Sequence, residues 1–182
     1  MKRLVLSFLS LVVFVLIAGC GGTQPETAGN SSQDAAPGEI ADIYAVIEAL
    51  QNPEQWVVID VRTPEEFRGE TRLPNAFGSG RIRGAKNVDR WAITCADDNL
   101  IPHEELLELF GFIGSKNVIV YCHAGLRSGF VQSVLIDLGF DVLNYYGSWV
   151  DWSRAASVAE GGPNEIVLSF TEAWTDNECE IC

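Results

Sequence analysis

Two apolar runs constrain the fold of this chain more than any other feature. Trp56–Val61, within "QWVVIDVRTPEEF", and Val118–Tyr121, within "KNVIVYC", are rich in β-branched residues and lack a regular polar alternation. A strand with one wet face would alternate, so runs of this kind fit strands covered on both sides. Segments of helical period surround them. "GEIADIYAVIEALQNP" places apolar residues at Ile40, Ile43, Val46, Ile47 and Leu50 and closes at Pro53. "IPHEELLELFGFIG" groups Leu106, Leu107 and Phe110, and "LRSGFVQSVLIDLGF" ends at Gly139. "DVLNYYG" reads as a third strand, "IRGAKNV" as the entry to a short one, and "SWVDWSRAA" as a last long helix. Strands alternating with helices predict an α/β fold, a central parallel sheet flanked by helices on both faces. Two local expectations accompany it: "TPEEF" opens a short helix with Thr63 as N-cap and Pro64 at the first position, and "EIVLSF" adds an edge strand.

The ends of the chain lie outside this pattern. Lys2 and Arg3 precede an unbroken apolar run, Leu4–Ala18, which is marginal for a permanent membrane span and reads as a secretory leader. The segment "GGTQPETAGNSSQDAAPGE" that follows has too little apolar surface to fold and reads as a tether. The expected organisation is therefore a leader over 1–19, a tether over 20–38, a folded domain over 39–158 and an extension over 159–182. Loss of Lys2 and Arg3 with the leader moves the formal charge from −13 to −15, which argues against nucleic acid as a partner.

Cys122 stands at the end of the second run, where a parallel sheet exposes its ligand-binding edge. Gly125 permits a sharp loop, so consecutive amides can turn inward, and the helix starting near Arg127 presents its positive end. These groups, with the guanidinium of Arg127, favour thiolate over thiol and would bind an oxyanion. A buried strand-end cysteine is commonly only a small hydrophobe. Here the glycine and arginine at these offsets point to a nucleophile for an anionic substrate.

C-x-x-G-x-R at Cys122, Gly125 and Arg127 resembles the active-site loop of the rhodanese sulfurtransferase family. "VVIDVRTPEEFRGE" is similar to that family's first signature, "GRIRGAKNV" to its "GHIPGAINI" stretch, and "GFDVLNYYGSWVDW" to its L-x-G-G-x-x-x-W ending. The resemblance, over roughly Glu39 to Arg154, implies the rhodanese fold and a sulfurtransferase that moves sulfane sulfur from thiosulfate or a related donor to cyanide or a thiol through a Cys122 persulfide. It implies Cys122 and Arg127 as catalytic residues, no metal or organic cofactor, and a loop made of His123, Ala124, Gly125, Leu126 and Ser128. Asp60 and Arg62 match the first signature near the site, with an ion pair that stabilises the strand end as the equal alternative, and Arg81 stands where the family has His. The alternative is a catalytically quiet module that binds a partner or senses sulfur or oxidants at the cell envelope. Related phosphatases and arsenate reductases place five residues between Cys and Arg; this chain places four, which favours sulfur over phosphate.

"LIAGC" resembles the lipobox of bacterial lipoproteins, implying lipidation at Cys20 and an exported chain anchored to a bacterial membrane. In such a compartment disulfides persist. Cys95, Cys179 and Cys182 then admit three readings: a structural disulfide, a pair that resolves Cys122 in exchange with an envelope thiol-redox protein, or a soft-metal site short of ligands. Arg72, Arg81 and Arg83 are expected to form a cationic rim that steers anions inward. His123 is expected at the rim rather than in a Cys-His dyad.

Overall fold

The structure is a computed structural model and describes residues 38–95, 99–158 and 163–173. The leader, the tether up to residue 37 and the C-terminal cysteines lie outside the described residues. The main sheet has five strands, all parallel, in the order β1-β6-β5-β2-β4. They are β1 (Ile40–Ala41), β2 (Trp56–Asp60), β4 (Lys86–Asn87), β5 (Asn117–Tyr121) and β6 (Val142–Tyr145). The two apolar runs become β2 and β5 and sit side by side, Trp56 against Asn117 through Asp60 against Tyr121.

Burial on both faces follows from the period of two along a strand. Along β5, Val118 and Val120 face one layer, and Ile119 and Tyr121 the other. The first layer is closed by α3 (His103–Leu109) and α4 (Leu126–Asp137), with Leu106, Phe110, Val131 and Leu135 packed against Ile59 and Val120. The second is closed by α1 (Ile43–Gln51), α5 (Ser148–Ser157) and α6 (Pro163–Ser169), with Val46, Trp149, Trp152 and Val167 around Ile119 and Tyr121. The predicted α/β architecture with helices on both faces is the one observed.

Local signals resolve as their chemistry dictates. Helix α2 (Pro64–Arg68) carries a full capping box: the Thr63 hydroxyl accepts from the Glu66 amide, and the Glu66 carboxylate accepts from the Thr63 amide. Gly139, left-handed at φ 89°, follows the end of α4.

"EIVLSF" is a correction. It is the body of α6, and only Thr171–Ala173 is extended, as β7. A short apolar run carries no periodicity that separates helix from strand; burial of Val167 against the Trp152 layer decides for helix. Strand β7 pairs antiparallel with β3 (Gly80–Ile82), forming a second, two-stranded sheet.

Candidate active site

Cys122 follows β5 directly, and the chain turns into α4 within four residues. Gly125 makes the turn at φ 87°, and a Cβ there would stand 2.6 Å from the Tyr146 carbonyl oxygen, so no other residue fits without displacing β6's exit. The Gly125 amide donates to Cys122 Sγ at 3.1 Å. The Ser128 hydroxyl lies 3.5 Å from the sulfur and also reaches the Gly125 carbonyl at 3.1 Å. From the opposite side, the Ser148 hydroxyl accepts from the Cys122 amide at 3.1 Å and lies 3.9 Å from Sγ. Cys122 is 1 % exposed, while Ala124 and Leu126 in the same loop are exposed.

Burial by itself pushes the Cys122 thiol up. The Ser128 hydroxyl and amide, the Ala124 amide and the Ser148 hydroxyl act against it, and the balance leaves the thiol below its ordinary value. The sulfur thus lies in a ring of neutral donors that favour its anionic form over what burial alone would allow.

Arg127 does not point its fork at the sulfur. Its Nη1 and Nη2 donate to the two oxygens of Glu66 at 2.6 and 2.7 Å, which fastens α4 to the capping residue of α2. Glu66 is largely buried; burial raises its carboxyl, yet the Arg127 fork and the Thr63 amide outweigh that and hold it below the usual range. Arg127 also lies close enough to Cys122 for the charge on that sulfur to raise its pKa, behind the larger effect of Glu66. Two of its five N–H donors serve Glu66, and the groups nearest the sulfur are amides and hydroxyls.

Asp60 and Arg62 lie beneath the site rather than in it. Asp60 is wholly buried and Arg62 2 % exposed. The Arg62 Nε and Nη2 grip both Asp60 oxygens at 2.6–3.0 Å, and Nη2 also donates to the Gly80 carbonyl at 2.8 Å. The guanidinium stacks 4.8 Å from the Trp149 ring centroid and 5.6 Å from that of Tyr121. Their polar atoms are thus spent on each other and on the β3 backbone. Their role in the geometry is to hold Trp149, whose amide donates to the Cys122 carbonyl at 3.0 Å.

The expected cationic rim is engaged elsewhere. Arg81 is ion-paired with Glu172 and stacks on Phe67, Arg83 stands 3.7 Å from the same carboxylate, and Arg72 donates to the Ala76 carbonyl. The acid that neutralises Arg81 lies on β7, far along the chain, which is why the sequence pattern did not reveal it. His123 bonds through Nε2 to the Pro74 carbonyl at 2.9 Å, and burial lowers its pKa, so it ties the loop before β3 to the site as a neutral ring. Cys95 is exposed and has no disulfide partner among the described residues.

Residues 44–155 match the family model of the rhodanese-like domain. The chain belongs to that family. A Haloferax volcanii protein named as a candidate thiosulfate sulfurtransferase is 35 % identical over 146 residues, covering 72 % of this chain and 51 % of that protein. The thiosulfate sulfurtransferase of Corynebacterium glutamicum is 32 % identical over 123 residues, covering 63 % and 41 %. The crystal structure of a probable thiosulfate sulfurtransferase superposes with a TM-score of 0.54 at 30 % identity, covering 66 % of this chain and 47 % of that one. The chain spans about half the length, or less, of these relatives.

Two residues of this rhodanese-like site escaped the sequence reading. Glu66 stood in "TPEEF" without a role of its own, and its pairing with Arg127 needs α2 and α4 side by side. Ser148 left a fainter signal: counting back from Trp152, it stands where the G-G-x-x-x-W ending has its second glycine. The backbone there keeps a left-handed φ of 53°, unfavourable for serine. That strained position sets the hydroxyl between the Tyr145 carbonyl, to which it donates at 2.8 Å, and the Cys122 amide, from which it accepts at 3.1 Å. Ser148→Gly removes one donor from the thiolate while suiting the backbone. The acid limb of the rate profile should move up, by less than about one pH unit, because the hydroxyl stands 3.9 Å from Sγ and also donates to the Tyr145 carbonyl at 2.8 Å, with stability changed by less than about 1 kcal/mol. Rates measured from pH 5 to 9 on both proteins provide the check; an unmoved limb would remove Ser148 from the thiolate's support.

Proposed function

We propose that this chain is a sulfurtransferase that takes sulfane sulfur from thiosulfate or a related donor onto Cys122 and passes it to cyanide or a thiol. The single observation that carries the proposal is the Cys122 sulfur, 1 % exposed, receiving the Gly125 amide within a loop that also turns the Ala124 and Ser128 amides toward it. The Cys122 thiolate attacks the outer sulfur of thiosulfate, the S–S bond breaks, and sulfite leaves with the electron pair. The negative persulfide then lies where the amides and the Ser128 and Ser148 hydroxyls converge. Attack by the acceptor on the outer sulfur returns Cys122 as thiolate. The ring of four residues between Cys122 and Arg127 is tighter than the five-residue loops of phosphatases, which supports a single sulfur as the group held. The relatives' names support the same donor class.

Thiosulfate mixed with reduced protein should release one sulfite per chain in a burst. Peptide mass spectrometry should find one added sulfur on Cys122, removed by cyanide as thiocyanate. Absence of both burst and adduct would overturn the proposal.

We infer further that the domain is exported and lipid-anchored at Cys20. The leader Leu4–Ala18 and "LIAGC" support this, and both lie outside the described residues. In a bacterial host, palmitate label should follow the full chain and be lost in Cys20→Ala; an unlabelled chain would refute the anchor.

A further inference from the structure

We propose a second binding site, at the end of the sheet opposite Cys122, that takes a small amphipathic anion: a carboxylate or sulfonate carried on an alkyl chain or an aromatic ring. The site is independent of the sulfurtransferase reading.

Its cavity follows from how the sheet ends. Strand β4 pairs with β2 only at Ile59 and Asp60, so on that side Trp56, Val57 and Val58 have no strand partner among the described residues. A cavity of about 270 Å³ opens there. Ala49 and Leu50 of α1, Trp56 and Val58 of β2, and Phe170 after α6 give it an apolar wall. Gly84 turns the chain from β3 into β4 at φ 87°, and a Cβ there would meet only the Leu50 Cδ2, at 3.8 Å, so the turn leaves the mouth uncovered. Lys116 lines the cavity just before β5, and Cys122 follows the other end of that strand. At ~3.3 Å per residue the two are about 20 Å apart along the strand.

The charged groups at this cavity are all cations. Arg83, Lys86 and Lys116 line it, and no carboxylate does. Lys86 and Lys116 are also the only lysines outside the leader, in a chain of formal charge −13. Elsewhere Arg62, Arg68, Arg81, Arg127 and Arg154 are each paired with a carboxylate, whereas no ion pair among the described residues holds Lys86 or Lys116. Arg83 stands 3.7 Å from Glu172, whose nearer partner is Arg81. Lys116 gives one Nζ hydrogen to the Pro53 carbonyl at 2.7 Å and keeps its other donors. The carbonyls that end α1 would repel an anion if bare. They are taken: that of Ala49 by the Asn52 amide, that of Glu48 by the Asn52 side chain, and that of Asn52 by the Gln55 and Trp56 amides.

Charge at the mouth and hydrocarbon within select the ligand. Inorganic phosphate would pair the cations and leave the apolar wall wet. A neutral hydrocarbon would cover the wall and leave the cations unpaired. An anion on a body of about eight carbons does both, since the cavity lies at the small end of ligand pockets, about 300–1,000 Å³.

Octanoate is the probe, titrated into isotope-labelled full chain and followed by amide NMR. It should shift the amides of Leu50, Gly84 and Lys116 and leave those of Ala124, Gly125 and Ser128 in place. Octanol, the same body without charge, and inorganic phosphate, charge without the body, should each bind at least tenfold more weakly. Lys86→Ala/Lys116→Ala should lower octanoate affinity at least tenfold, the scale of one lost charge-assisted hydrogen bond. Lys116 also holds Pro53, so the single variant Lys86→Glu, at an exposed side chain, carries the test if the double variant unfolds; it too should weaken octanoate at least tenfold. Absence of any shift at millimolar octanoate, shifts centred on the Cys122 loop, equal binding of octanol or phosphate, or unchanged affinity in the lysine variants would each overturn the proposal.

Discussion

Cys122→Ser is expected to lower thiosulfate-to-cyanide turnover by about 10⁴-fold or more, the scale seen when a covalent nucleophile is removed, with no measurable loss of folding. A serine hydroxyl at the same place is far less acidic than the thiol, and the donors around Sγ cannot make it a sulfur nucleophile at neutral pH. The replacement is nearly isosteric and keeps a polar atom within reach of the Gly125 amide and the Ser128 hydroxyl. Thermal unfolding and the far-ultraviolet spectrum should therefore match wild type. Residual turnover within tenfold of wild type would mean that sulfur moves through another group, and the reading of the loop would have to be abandoned.

Asp60→Ala is expected to carry the largest cost in stability, about 3–5 kcal/mol, because it leaves the Arg62 guanidinium charged, buried and without its carboxylate. The burial that surrounds the pair raises the cost of an unpaired charge, while Asp60 is what keeps the guanidinium above its ordinary value despite that burial. Arg62 also holds the Gly80 carbonyl and the faces of Tyr121 and Trp149, so the loss should loosen β3 and the Trp149 amide that meets Cys122. Urea unfolding should show a lower midpoint with an unchanged slope. The double variant Asp60→Leu/Arg62→Met, with neither charge buried, should recover much of the loss. Equal destabilisation in the double variant would show that the packing, not the charge, is at stake.

The site divides between the groups that touch the sulfur and those that hold the touching groups in place. Cys122, Gly125 and Ser128 stand within one loop. Their positions relative to one another follow from a strand end, a glycine and the first turn of a helix. Asp60 and Arg62 act at one remove. Their pairing within two residues of each other was visible in "IDVR", yet their burial under Trp149 was not. The same holds for Arg127, whose guanidinium would be read from its spacing as an anion fork and is instead bound to Glu66 of another helix.

What the sequence alone determined were properties that live on one element at a time. Unalternated β-branched runs can be stable only under cover on both faces. That requirement produces the central strands and the flanking helices, and it places Cys122 at the end of β5. Thr63, Pro64, Gly125 and Gly139 mark their boundaries through backbone chemistry that needs no partner. The tertiary structure decided everything that depends on two distant elements meeting. It neutralised Arg81 with Glu172, closed Arg127 on Glu66, turned "EIVLSF" into a helix under Trp152, and brought the Ser148 hydroxyl to Cys122 on a strained backbone. Charge and hydrogen-bond partners are set by packing in three dimensions, and a one-dimensional pattern records which groups are available without recording which of them meet.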